Sequence, residues 1–224
     1  MAQTDFPFAI VGFDLDGTLV DSLDDLTAAL NHALGLAGRA PVRACDVRSM
    51  VGLGGRHMLE RGLAATGGTA GEDVQRLYVE LIAFYEAHIA VHSAPYPGLI
   101  AALDRLDALG VRTAVVTNKN ERLARRLLGE LGLADRMATI IGGDTMGPGN
   151  AKPSAAPILA MIERCGGGRA AFVGDSSFDV MAAQNARVPA IAVSFGFPNL
   201  PVGELGADHV IDHYDELVPL LERL

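Results

Sequence analysis

Two carboxylates stand close together in one short segment near the amino terminus. Asp14 and Asp16 are two residues apart, directly after an apolar run over residues 8–13, and a Gly-Thr pair follows them. An apolar run without alternation is typical of a strand covered on both faces of a parallel sheet, so both acids are expected in the crevice at the sheet's carboxyl end. Crowded carboxylates repel each other unless a cation or a shared proton relieves them. The alternative is an ordinary turn, because Asp and Gly are common between a strand and a helix.

Two later segments carry groups that could hold a phosphoryl oxygen. Thr117 and Asn118 end a second apolar run and open a helix, where a hydroxyl and backbone N–H groups can bind such an oxygen. Lys152 follows a Gly-rich stretch at 142–149 and could neutralise charge on a phosphoryl group. Taken alone, Thr117 is more simply explained as a helix N-cap and Lys152 as a solvated surface charge. Their order and their placement at strand ends favour a common site.

A third apolar run is also followed by acids. Asp175 stands at the end of the run Ala-Ala-Phe-Val-Gly, and Asp179 lies four residues further on. Together with Asp14 and Asp16, these side chains make an oxygen cage suited to Mg²⁺.

Strands and helices that alternate along the chain would bring these residues together. Apolar runs end at Thr117, Gly174 and Val193, and the segments between them show the helical spacing of large apolar residues. Alternation of this kind indicates βαβ units and a parallel sheet, so the predicted fold class is α/β.

The interval from Ser22 to about His92 breaks this alternation. Its leucines recur at helical spacing, with no convincing strand between them, and Ser22 with Asp25 reads as a capping box for its first helix. We therefore expect an all-helical insertion. Its entry follows the first strand and its exit is a stiff Pro-rich turn, so both connections should meet near one edge of the sheet, which suits a hinged cap.

Composition excludes several classes of protein. Half of the 224 residues are apolar, and 18 basic against 27 acidic residues give a net charge of −9, so neither nucleic acid nor an anionic membrane is expected as a partner. Two cysteines without ligand spacing suit a reducing compartment. No apolar run approaches the roughly 20 residues that span a bilayer, and the first Lys or Arg is Arg39, so we expect a cytoplasmic protein.

At these residues the sequence resembles the haloacid dehalogenase superfamily, whose four motifs occur in order at 14–18, Thr117, Lys152 and 174–179. The resemblance covers essentially the whole chain. It implies a Rossmann-like parallel-sheet core formed by residues 1–20 and 93–224, with an all-helical cap, residues 21–92, inserted after the first motif. It also implies Mg²⁺-dependent phosphoryl transfer through an aspartyl-phosphate.

The resemblance implies a role for each motif residue. Asp14 would be the nucleophile and Asp16 the general acid and base, while Thr117 and Lys152 would bind the phosphoryl group. The presence of Asp16 argues against a true dehalogenase, because a leaving halide needs no proton.

The resemblance also implies the metal ligands. Asp175 would bind Mg²⁺ together with Asp14 and the backbone carbonyl of Asp16. Asp179 would act on the metal directly, or through water and Lys152.

Within the superfamily, residues 51–56, 116–119, 141–144 and 207–212 most resemble bacterial phosphoglycolate phosphatases. This implies a small phosphorylated metabolite, 2-phosphoglycolate, as the partner of a monomer or homodimer. Thr117, Asn118 and Lys152 are then expected to bind substrate. So are Gly54 and Gly55, which allow close backbone approach, and Arg56, whose guanidinium could bind the substrate carboxylate. The alternative for Arg56 is a solvated charge on a helix.

Two other functions share parts of this pattern. A β-phosphoglucomutase-like sugar phosphomutase, or a related sugar-phosphate phosphatase, would have all four motifs. A phospho-acceptor receiver module also joins an acceptor Asp to Thr, Lys and an acid pair, but it needs no inserted cap and no second acid two residues after the acceptor.

Overall fold

The computed structural model describes residues 6–224, so residues 1–5 of the predicted core lie outside the described part. Its centre is a six-stranded parallel sheet whose strands are β1 (Ile10–Phe13), β4 (Arg112–Val116), β5 (Met137–Ile141), β6 (Ala170–Gly174), β7 (Ala190–Val193) and β8 (His209–Ile211). They lie in the order β5-β4-β1-β6-β7-β8. The predicted α/β fold with a parallel, Rossmann-like sheet is confirmed.

Helices cover both faces of this sheet. They are α5 (Leu99–Ala108), α6 (Glu121–Glu130), α7 (Ala156–Arg164), α8 (Ser177–Ala186) and α9 (Leu217–Leu221), with 3₁₀ turns at Ala134–Arg136, Val202–Glu204 and Tyr214–Glu216. Phe13 and Val115 pack into one buried cluster with α5, α6 and α9. Val116 and Phe172 pack into another with α7 and α8. The apolar runs lack alternation because successive side chains are buried on opposite faces.

The remaining helices lie between the first and second sheet strands along the chain. They are α1 (Leu23–Leu36), α2 (Ala44–Val47), α3 (Gly55–Ala65) and α4 (Val74–Ala87), with a 3₁₀ turn at Arg48–Met50. Helix α1 packs closely against α4, and both contact α3. We call the segment from α1 to α4 the helical insertion.

The two connections of the helical insertion are paired with each other. Strand β2 (Val20–Asp21) leads into it and pairs antiparallel with β3 (Ala94–Pro95), which leads out. The Asp25 carboxylate of α1 also accepts hydrogen bonds from the backbone N–H groups of His92 and Ser93 and, at 2.6 Å, from the Ser93 hydroxyl. The entry and the exit of the helical insertion are therefore held together by strand pairing and by the hydrogen bonds of Asp25.

The predicted capping box at Ser22 and Asp25 is wrong. Ser22 precedes α1 but makes no side-chain cap bond; its hydroxyl instead donates to Asp16 at 2.6 Å. The Asp25 carboxylate is engaged by residues 92 and 93. Buried polar groups take whichever partners the tertiary fold brings, and here those partners are distant in sequence. Within residues 6–224, no helix is long and apolar enough to cross a membrane.

Candidate active site

Three of the predicted acids come together at the carboxyl edge of the sheet. Asp14 follows β1, Asp175 follows β6, and Asp179 lies in the first turn of α8; all three are buried. Each offers a carboxylate oxygen, and these oxygens lie within 4.8 Å of one another. Strands β1 and β6 are direct neighbours, so their carboxyl ends deliver the first two acids side by side.

Lys152 lies among these acids. Its ammonium nitrogen is 2.8 Å from Oδ1 of Asp14 and 2.5 Å from Oδ1 of Asp179, and the residue is 3% exposed. The other oxygen of Asp179 accepts hydrogen bonds from the backbone N–H and the hydroxyl of Ser176, which form a capping box for α8. Asp179 therefore fixes Lys152 beside Asp14 while its own position is fixed by the helix.

The cluster holds more acids than bases, and burial disfavours their charged forms. Burial raises the pKa of Asp14 to about 6, with a further contribution from Asp179, although Lys152 acts in the opposite direction. Burial and the two neighbouring carboxylates likewise raise the pKa of Asp175 well above its usual value. Three acids and one lysine would carry a net charge of about −2 when all are ionised, which a divalent cation would neutralise.

The donor set fits a hard cation. Asp14, Asp175 and Asp179 offer buried carboxylate oxygens, the kind of ligand that hard cations take. Asp175 is held by the backbone N–H of Phe197 at 2.6 Å and more loosely by the Thr18 hydroxyl at 3.4 Å. A side chain at Gly17, whose φ is +84°, would place its Cβ only 2.2 Å from Oδ2 of Asp175. The loop after Asp16 thus requires glycine to approach the acids.

Asp16 lies apart from the acid cluster. Its carboxylate accepts the Ser22 hydroxyl at 2.6 Å, and the Lys119 ammonium lies 2.9 Å from both of its oxygens. Two acids only two residues apart therefore have different partners, Lys152 for Asp14 and Lys119 for Asp16. Participation of the Asp16 carbonyl in metal binding stays a prediction.

Thr117 and Asn118 follow β4, the other neighbour of β1. Thr117 is buried, and its hydroxyl accepts the backbone N–H of Lys119 at 3.2 Å. The Asn118 amide joins two loops: it donates to the carbonyls of Gly52 and Lys152 and accepts the N–H of Lys152 at 2.9 Å. Asn118 is therefore held by backbone groups of the helical insertion and of the Lys152 loop.

A cavity of about 420 Å³, its open mouth included, joins these residues to the helical insertion. Its lining consists of Asp14, Asp16, Leu26, Val51, Gly52, Gly54, Gly55, Met58, Thr117, Asn118 and Lys119. The structure thus brings Gly54 and Gly55, at the start of α3, to the same cavity as the core residues.

Arg56 is not brought into this cavity. Its guanidinium contacts Gln75 and Glu60 and lies over the ring of Tyr78, and its side chain is 47% exposed. The expectation of a carboxylate ligand at Arg56 is therefore unsupported, because the first turn of α3 directs this side chain toward α4.

Among the described residues that line the cavity, the one cation is Lys119, which none of the sequence motifs indicated. It is 8% exposed, and its ammonium lies between Asp16 and the ring of Tyr85, 4.4 Å from the ring centre. One signal in the sequence could have found it: Lys119 and Lys152 are the only lysines among the 224 residues, whereas the other sixteen basic residues are arginines.

The fold and the site define an α/β enzyme class in which an acidic site at the edge of a parallel sheet faces an inserted helical segment. The family model of the haloacid dehalogenase-like hydrolases matches residues 11–193, and the chain belongs to this family. The resemblance found in the sequence motifs is thereby confirmed.

Similar proteins agree over nearly the whole chain. The phosphoglycolate phosphatase of Agrobacterium fabrum (strain C58) is 46% identical over 222 residues, which cover 97% of this chain and 94% of that protein. The phosphoglycolate phosphatase of Caulobacter vibrioides is 42% identical, and the match covers 92% of this chain and 87% of that protein. A crystal structure of a predicted phosphoglycolate phosphatase from Haemophilus somnus 129pt matches with a TM-score of 0.88 and 26% identity, covering 95% of this chain and 97% of that one.

Proposed function

We propose that this phosphatase hydrolyses 2-phosphoglycolate to glycolate and inorganic phosphate, with Mg²⁺ as its metal. The observation that carries the proposal is the buried cluster of Asp14, Asp175 and Asp179 around Lys152, in which Asp14 also lines a cavity that the helical insertion covers. The activity named for relatives that are 46% and 42% identical supports the same substrate.

In the proposed mechanism, Asp14 attacks phosphorus. A carboxylate oxygen of Asp14 forms the new P–O bond while the bond between phosphorus and the ester oxygen breaks. The Lys152 ammonium lies 2.8 Å from Oδ1 of Asp14 and offsets the repulsion between the carboxylate and a phosphate dianion. The Thr117 hydroxyl would hold a phosphoryl oxygen beside it.

Asp16 would move the proton. It would protonate the ester oxygen as glycolate leaves, and would then take a proton from the water that hydrolyses the aspartyl-phosphate. Ser22 and Lys119 fix the orientation of the Asp16 carboxylate before the substrate reacts, so no entropy is lost in orienting it during the reaction.

Asp14, Asp175 and Asp179 are the residues that would hold the metal, because carboxylate oxygens are the ligands that Mg²⁺ prefers. When bound, the metal supplies positive charge that offsets the negative charge of the phosphoryl group. We also propose the domain division given by the motifs, with residues 1–20 and 93–224 as core and 21–92 as cap. A cytoplasmic location and a monomeric or homodimeric state stay predictions.

The test is phosphate release from 2-phosphoglycolate, sugar phosphates, nucleotides and pyrophosphate in the presence of Mg²⁺. We expect the highest kcat/KM with 2-phosphoglycolate and equal amounts of glycolate and phosphate. Asp14→Asn should abolish turnover, whereas the matched control Asp107→Asn, at an exposed position of α5, should not. Preference for a sugar phosphate, isomer interconversion without phosphate release, or a stable phosphoprotein without turnover would contradict the proposal.

A further inference from the structure

We propose that Lys119 binds the carboxylate of the substrate and so selects small phosphorylated acids over phosphate esters that lack a second anion. This inference rests on the proposed function and names the specificity residue of the same cavity. Among the described residues that line the cavity, Lys119 is the only cation. Lys152 lies between Asp14 and Asp179, outside this lining, and the proposed mechanism assigns it to the phosphoryl group.

The position of Lys119 matches the shape of the substrate. In 2-phosphoglycolate one methylene group separates the ester oxygen from the carboxylate, so a cation that binds the carboxylate must lie close to the ester oxygen. The acid that protonates the ester oxygen must reach the same place, and this acid is Asp16. The ammonium of Lys119 lies 2.9 Å from both Asp16 oxygens and therefore meets the requirement.

Lys119 also has capacity for another acceptor. An ammonium group has three N–H donors, and the two Asp16 oxygens account for two of them. Its next neighbour is Tyr85, which approaches the ammonium with both its ring and its hydroxyl. This phenol is a weaker partner than a carboxylate, so a substrate carboxylate could replace it. Although burial lowers the pKa of Lys119, the Asp16 carboxylate raises it above the usual value, so the group is charged.

The surroundings make this charge effective. Lys119 is 8% exposed, and Leu26 and Met58 contribute apolar surface to the same cavity. An ion pair shielded from water in this way is weakened less by solvent and salt than one on the surface. Arg56, by contrast, is half-exposed and already contacts Glu60.

The test measures kcat/KM for 2-phosphoglycolate and for ethyl phosphate, which lacks the carboxylate, in wild type and in Lys119→Met. Loss of a hydrogen bond to a charged group should lower the ratio of the two constants by about ten- to 150-fold. Lys119→Gln retains a donor for Asp16 without the charge and should lower the ratio in the same way. Arg223→Met, which removes one charge at the carboxyl terminus and outside the cavity lining, should leave the ratio unchanged.

Equal losses for both esters would overturn the proposal, because Lys119 would then only position Asp16. An unchanged ratio in both Lys119 variants, or a selective loss in Arg56→Ala instead, would also overturn it. The proposed function fails separately, if wild type itself does not prefer 2-phosphoglycolate to the other esters of the panel.

A binding measurement removes proton transfer from the comparison. 3-Phosphonopropionate replaces the ester oxygen of 2-phosphoglycolate by a methylene and cannot be hydrolysed, while propylphosphonate lacks its carboxylate. We expect wild type to be inhibited at least tenfold more strongly by the first compound, and Lys119→Met to be inhibited by both about equally. A preference that survives in Lys119→Met would place the carboxylate elsewhere.

Discussion

In the absence of metal the protein should lose stability as the pH rises, and Asp14 is the group that allows the effect to be estimated. Burial, together with Asp179, raises the pKa of Asp14 from 3.8 to about 6 against the opposing effect of Lys152. The folded state therefore binds this proton more tightly than the unfolded state does. Its stabilising contribution is complete below about pH 4 and is lost as the pH rises through about 6.

The size of the effect follows from the shift. About two pK units correspond to about 3 kcal/mol in the free energy of unfolding. Below about pH 5 the effect of Asp14 is masked, because carboxylates in ion pairs elsewhere then become protonated and change the free energy of unfolding as well. Between pH 5 and pH 8 the shift of Asp14 contributes about 1.4 kcal/mol. Asp175, whose pKa is also raised by burial, acts in the same direction.

Urea unfolding in the presence of a chelator, at several values between pH 5 and pH 8, measures this directly. The free energy of unfolding of wild type should fall by about 1.4 kcal/mol relative to that of Asp14→Asn, which has no titrating group at this position. Added Mg²⁺ should stabilise wild type more at pH 8 than at pH 5, because carboxylates bind a metal only when ionised. Parallel pH profiles for the two proteins would refute the reasoning.

Three further substitutions have distinct expected results. Asp14→Asn should lower kcat by several powers of ten because an amide does not attack phosphorus, and more than about a tenth of wild-type kcat in a steady-state assay would contradict the role. Asp16→Asn should slow phosphorylation of the enzyme by ~10²- to 10⁴-fold with an alkyl phosphate. The loss should be much smaller with p-nitrophenyl phosphate, because its leaving group needs little protonation. Equal losses for the two esters in single-turnover experiments would exclude Asp16 as the acid. Gly17→Ala should lower the free energy of unfolding by about 1–3 kcal/mol and weaken Mg²⁺ binding measured by calorimetry, because φ at this position is +84° and the new Cβ would collide with Asp175. Wild-type values for both quantities would be inconsistent with the crowded loop.

The residues at strand ends were predictable because their positions follow from topology. Asp14, Thr117 and Asp175 each follow an apolar run, and neighbouring parallel strands place their carboxyl ends together whatever the loops do. Strands β5 and β8 were not identified, since Met137–Ile141 and His209–Ile211 are edge strands with exposed positions and lack a continuous apolar run.

Contacts between distant side chains could not be predicted in the same way. Ser22 and Asp25 have the spacing of a capping box, yet Asp16 and residues 92–93 are their partners. Lys119 has no periodic pattern that distinguishes a buried lysine from a surface one, and only the fold places it against Asp16 and Tyr85. Arg56 likewise has the residue type and loop position expected of a substrate ligand, yet the fold places its side chain outside the cavity lining.

The most direct test of the central claim is to quench the enzyme with acid during its first turnover of phosphorus-labelled 2-phosphoglycolate in Mg²⁺ and to locate the label by peptide mapping. We predict that the label appears on the peptide that contains Asp14, decays as inorganic phosphate forms, and is absent from Asp14→Asn. Label on any other residue, or release of phosphate by Asp14→Asn at the wild-type rate, would contradict the account.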